Sequence, residues 1–178
     1  VSDAPVVYVI ASAAPPVLDL QTLVALLHER GWRVCIILTP TAATWVNVPE
    51  LEAATSSPVR VTPRLPQEQD PLPEASAVLV APATFNLINK WAVGISDNLA
   101  LGLLNELLGV GLPIVVAPCA KPALRSHPNY AGNLKLLSTA GARFVDSDAV
   151  SVRPDGGLLN FEWPAIVTEL EILTSNSK

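Results

Sequence analysis

The chain has 178 residues, half of them apolar and 15% charged, with a net charge of −5 and a pI near 4.9. That length and apolar share suit one well-buried domain over residues 1–178 rather than a disordered chain. The acidic balance and the lack of any Lys/Arg run argue against a nucleic-acid or anionic-membrane surface, and no apolar run is long enough to cross a bilayer.

Residues 6–10, Val-Val-Tyr-Val-Ile, read as a buried strand ending in Ala11-Ser12-Ala13-Ala14. Residues 18–30 carry Leu20, Leu23, Val24 and Leu27 at helical spacing, and Gly31 stops the helix. Residues 34–38 form a second strand ending at Thr39-Pro40-Thr41, and a short helix is expected within residues 44–54, starting after Pro49. Val59-Arg60-Val61 is a third strand candidate. The four prolines in residues 62–74 predict an irregular loop of functional length. A fourth strand at 77–81 leads into a helix over 86–108 with internal glycine, and residues 113–117 make a fifth strand. A helix over 129–140, a short strand at 143–145, an Asp155-Gly156-Gly157 turn that is readable as a hairpin, and a helix over 164–174 complete the chain.

Apolar strands alternating with helices predict a parallel sheet covered on both faces. In such sheets ligands sit beyond the strand C-termini, at a point where strand order reverses. Three of these edges carry hydroxyl residues: Ser12, Thr39 with Thr41, and Thr84. No GxGxxG or GxxxxGK[ST] pattern is present, so the edges suit a single phosphate and a flat heterocycle rather than a dinucleotide or a nucleoside triphosphate. Cys35 and Cys119 lie in apolar strand contexts and lack metal-site spacing, and His28 and His127 are too few for a zinc site, so no metal is expected. The free cysteines and the absence of a basic region before the first apolar run suit a cytoplasmic protein without a signal peptide.

Pro82-Ala83-Thr84-Phe85-Asn86 with Ile88-Asn89-Lys90, followed by Gly94-Ile95-Ser96-Asp97-Asn98-Leu99, resembles the PASANT-type motif of the flavin-containing cysteine decarboxylases. That family includes phosphopantothenoylcysteine decarboxylase and the enzymes acting on C-terminal cysteines of lantibiotic and linaridin-type peptides. The resemblance implies FMN, a flavodoxin-like three-layer, doubly wound parallel sheet, and a homotrimer or an assembly of trimers with flavin at the subunit interface. It also implies that Ser12, Ala13, Thr39, Thr41, Trp45, Ala83, Thr84 and Asn86 contact the cofactor, with Asn86 catalytic as well.

Two departures stand beside the likeness. The family's catalytic histidine falls where this chain reads Gln67-Glu68-Gln69-Asp70, so Glu68 is the candidate base if burial raises its pKa; otherwise it is a solvated loop residue. The family's PxMNxxMW substrate motif is replaced by Pro118-Cys119-Ala120-Lys121-Pro122-Ala123-Leu124-Arg125. Lys121 and Arg125 are then candidates for gripping a substrate carboxylate, with His127 in the same loop, although Lys121 is equally readable as a surface lysine. Residues 151–158 occupy the place of the family's closing flap, and Gly156-Gly157 supply backbone freedom. The implied activity is FMN-dependent oxidative decarboxylation of a precursor peptide's C-terminal cysteine to an enethiol, in peptide natural-product biosynthesis. The alternatives are a non-catalytic FMN-binding subunit and a phosphopantothenoylcysteine decarboxylase of coenzyme A biosynthesis.

Overall fold

The computed structural model describes residues 4–176; the outermost residues of the expected 1–178 unit lie outside that range. Its centre is a five-stranded, all-parallel sheet in the order β2-β1-β3-β4-β5. The strands are β1 (Val6–Ala11), β2 (Arg33–Leu38), β3 (Ala77–Ala83), β4 (Ile114–Pro118) and β5 (Ala142–Phe144). Every residue of β1, β3 and β4 is buried, which is why these segments read as unbroken apolar runs without alternation.

Alternate residues face two separate cores, making three layers. On one face Val9, Ile36, Leu79 and Val115 pack under α1 (Leu20–Glu29), α3 (Val48–Thr55) and α9 (Trp163–Ser175). On the other, Ile10, Ile37, Val80 and Val116 meet α4 (Phe85–Ala92), α5 (Leu99–Gly109) and α7 (Pro128–Thr139). The period of two along each strand therefore divides one sequence between two cores. The expected doubly wound, flavodoxin-like architecture is present.

Three expectations are corrected. Residues 59–61 make only an isolated bridge, Ile37 to Arg60, because Pro58 and Pro63 flank the segment and cannot donate to a ladder. The helix expected over 86–108 is two helices. Gly94 takes φ +76°, Ile95 N–H closes on the Lys90 carbonyl at 2.9 Å, and Asn98 caps α5 by accepting from Leu101 N–H at 3.0 Å. The helix expected after Pro49 starts at Val48, capped by Asn47, and a one-turn helix α2 (Pro40–Ala43) precedes it with Thr39 as its cap.

Beyond β5, a one-turn helix α8 (Ser147–Val150) leads into β6 (Ser151–Val152), which pairs antiparallel with β7 (Asn160–Phe161). This is the expected hairpin, with Gly156 at φ +68° in its tip. The hairpin is held at its base by Asp19, the residue before α1. The Asp19 carboxylate accepts from Thr22 Oγ1 at 2.6 Å, Asn160 Nδ2 at 2.7 Å and Trp163 Nε1 at 2.8 Å.

Candidate functional site

A cavity of about 1050 Å³ opens at the C-terminal edge of the sheet. Four strand-to-helix turns build it, those after β1, β2, β3 and β4, and the β6–β7 hairpin forms a further wall. This is the strand-order reversal of a 2-1-3-4-5 sheet, where β1 and β3 send their chains to opposite faces. Ser12, Ala13, Thr39, Thr41, Trp45, Thr84, Asn86, Lys121 and Arg125 all line this one cavity, although they span more than 110 residues of sequence. Ala83 is fully buried in β3 beneath it.

The hydroxyls are not equivalent. Ser12, 2% exposed, donates through Oγ to the Pro82 carbonyl at 2.8 Å and accepts from Thr84 N–H at 2.9 Å. A serine has one O–H to donate, so this hydroxyl is a clamp between the end of β1 and the β3–α4 turn. Ala81–Pro82, beneath the clamp, is a cis peptide bond. Thr39 and Thr84 use their oxygens as acceptors, from Ala42 N–H at 3.4 Å and Leu87 N–H at 3.3 Å. Their O–H hydrogens remain available to a ligand. The first two amides of α4, Phe85 and Asn86, have no acceptor within the helix. Trp45, 46% exposed, supplies an aromatic surface at the rim. Uncommitted donors, a helix start and an aromatic wall together suit a flat, phosphorylated heterocycle.

Two of the expected substrate residues have partners within the chain. Arg125 lines the cavity, but its Nη1 is bonded to Asp148 Oδ1 at 2.5 Å, tying α6 (Pro122–Arg125) to α8 at the foot of the hairpin. His127 does not line the cavity. Its Nδ1 accepts from Asn129 N–H at 3.2 Å, capping α7, and its ring sits edge-on to Phe85. Lys121 lines the cavity with its ammonium free of any carboxylate partner among the described residues.

Glu68 is also placed elsewhere. It lies in the exposed proline-rich loop and its carboxylate accepts from Leu65 N–H at 2.9 Å, while Arg64 Nη1 donates to its carbonyl at 2.6 Å. A glutamine reproduces the first contact and leaves the second untouched. Glu68→Gln is therefore expected to keep turnover within about twofold of wild type in a steady-state assay. A loss beyond tenfold would mean that this loop enters the cavity of another copy.

Sequence reading missed three features. Cys119, which the sequence places in an apolar strand context, is half-buried and lines the cavity; burial pushes its thiol up to about 11, so it stays neutral at physiological pH. Lys90 and Asp97 also reach the cavity and form an ion pair with each other. Arg153 enters from the hairpin, within the segment 151–158 expected as the closing flap, although no contact was expected of it by name. Only the position of Cys119, directly after the end of β4, signalled its place.

Residues 2–171 match the Flavoprotein family. The chain belongs to this family. Coenzyme A biosynthesis bifunctional protein CoaBC of Bacillus subtilis (strain 168) is 28% identical to this flavoprotein over 130 residues, 70% of the chain and 31% of the relative. The chain thus spans about a third of that relative's length. Among solved structures, the FMN-dependent cysteine decarboxylase TvaF from thioviridamide biosynthesis superposes with a TM-score of 0.77 at 20% identity, covering 96% of this chain and 98% of TvaF. Peptidyl-cysteine decarboxylase EpiD gives 0.71 at 18% identity, covering 94% and 98%. At these identities the likeness is one of fold.

Proposed function

We propose that this flavoprotein binds FMN in the sheet-edge cavity and oxidatively decarboxylates the C-terminal cysteine of a peptide. The observation that carries the reading is the cavity's division of labour. Free threonine hydroxyls and α4 amides gather at the β1–β3 side, a lysine without a carboxylate partner among the described residues stands after β4, and the volume lies at the upper end for ligand pockets, with room for cofactor and substrate together. The resemblance to TvaF and EpiD, whose names give FMN-dependent and peptidyl-cysteine decarboxylation, supports the same reading.

The donors of Thr39, Thr41 and Thr84, with the Phe85 and Asn86 amides, would hold the cofactor, and Ser12 holds the turn that presents Thr84, Phe85 and Asn86. Bound FMN supplies a two-electron acceptor for the substrate thiol. Lys121 attracts the terminal carboxylate and so orients the cysteine. The hairpin, tied down at both feet by Arg125–Asp148 and Asp19–Asn160, walls one side of the cavity, where it limits the approach of water to the reacting carbon. The overall reaction would take two hydrogens and carbon dioxide from the cysteine and leave an enethiol, with FMN as the two-electron acceptor. Assembly into trimers and a cytoplasmic location belong to the same reading, and no helix among the described residues is long and apolar enough to cross a membrane.

The test is mass spectrometry of a Cys-terminated peptide incubated with protein, FMN and oxygen. The expected product has lost carbon dioxide plus two hydrogens. An unchanged peptide, with phosphopantothenoylcysteine converted instead, would move the protein to the coenzyme A role that its similarity to CoaBC also accommodates. Conversion of neither substrate by FMN-loaded protein would indicate a non-catalytic flavin-binding subunit.

A further inference from the structure

The chain as a whole is acidic, at −5, yet the cavity lining is basic. Lys90, Lys121, Arg125 and Arg153 face only Asp97 and Asp148. Two of the cations are already matched, Lys90 by Asp97 and Arg125 by Asp148. Lys121 and Arg153 have no carboxylate partner among the described residues. They come from different parts of the fold, Lys121 from the turn after β4 and Arg153 from the hairpin immediately after β6.

One terminal carboxylate matches one of these two exposed charges, and a second anion on the substrate would be electrostatically complementary to the other. The donors that suit a flavin phosphate, the Thr39 and Thr84 hydroxyls and the first α4 amides, come from the turns after β2 and β3, whereas Lys121 and Arg153 come from the turn after β4 and the hairpin.

We propose that the substrate peptide carries an acidic side chain within the few residues before its C-terminal cysteine, and that Arg153 on the hairpin reads it while Lys121 takes the terminal carboxylate. The inference rests on the peptide reading of the cavity and adds a substrate class to it. Because one anion meets the sheet edge and the other the hairpin, a peptide with both draws the hairpin onto the cavity. Arg153 is then a specificity-determining residue, and neutral or basic residues at that position of the peptide are disfavoured.

The test uses FMN-loaded full-length protein and acetylated pentapeptides ending in serine, so that binding is read by calorimetry without turnover. Aspartate, asparagine or lysine is placed second, third or fourth from the end. At one of these positions aspartate is expected to bind roughly three- to tenfold tighter than asparagine, with lysine weaker still, and the difference shrinks at high salt. Arg153→Gln removes the aspartate preference and leaves FMN affinity within about twofold, whereas Lys121→Gln weakens all the peptides together. Equal affinities at every position, or no binding of any peptide, would overturn the inference. So would an Arg153→Gln protein that loses FMN while keeping the aspartate preference. A Cys-terminated version that follows the binding rule without being decarboxylated removes the catalytic reading and leaves this one standing.

Discussion

Ser12→Ala is expected to lower stability by about 1–3 kcal/mol and to weaken FMN binding at least tenfold, although the Ser12 side chain need not touch the cofactor. The reason is the clamp. Ser12 Oγ accepts the Thr84 N–H and donates to the Pro82 carbonyl, and the residue is almost fully buried. Alanine leaves the Thr84 amide without a partner, while the Pro82 carbonyl keeps only the Ser12 N–H at 3.0 Å. The turn that aims Thr84, Phe85 and Asn86 at the cavity then relaxes. For a domain of this size each kcal/mol lowers Tm by about 2–4 °C, so calorimetry and a flavin titration read both effects. A variant with unchanged Tm and lost flavin would contradict the clamp and make Ser12 a direct ligand.

Asp19→Ala is expected to lower stability by about 2–4 kcal/mol, because Asn160 Nδ2 and Trp163 Nε1 lose their shared acceptor. Burial alone raises the Asp19 pKa, but the hydrogen bonds from Asn160, Thr22 and Trp163 outweigh it and hold the carboxyl below its ordinary range. A folded-state pKa below the unfolded one contributes stability above the unfolded value, about 4, and that stability is lost as pH falls through the lowered folded value. The stability gap between wild type and Asp19→Asn, followed by chemical denaturation, should therefore be widest near neutrality and narrow below about pH 4. A gap that stays constant with pH would mean that charge plays no part in the network. Since Asn160 and Trp163 flank the end of the hairpin, the alanine variant is also expected to lose turnover.

The sheet was legible because its strands are buried on both faces, and continuous apolar runs such as residues 77–81 and 114–117 admit few other readings. The hydroxyl edges were legible for a related reason, since a parallel sheet puts its functional turns at strand ends. What those hydroxyls do was not. Ser12 and Thr39 look alike in sequence, and only their partners separate a clamp from a free donor. The split between α4 and α5 was hidden because apolar residues continue through Gly94, whose left-handed backbone ends the helix. Arg125 and His127 have anion-binding chemistry close to Lys121 in sequence, but tertiary structure uses one as a tether and the other as a cap. The segment around Arg153 was legible as a flap, but the arrival of this side chain in the cavity depends on how a hairpin beyond β5 packs beside the sheet edge.

The central claim, that this cavity is a flavin seat, is tested most directly by titrating the purified protein with FMN and following absorbance and flavin fluorescence. The account predicts saturable binding at about one FMN per chain, with release of the same flavin on heat denaturation. A colourless protein that fails to bind added FMN would contradict it.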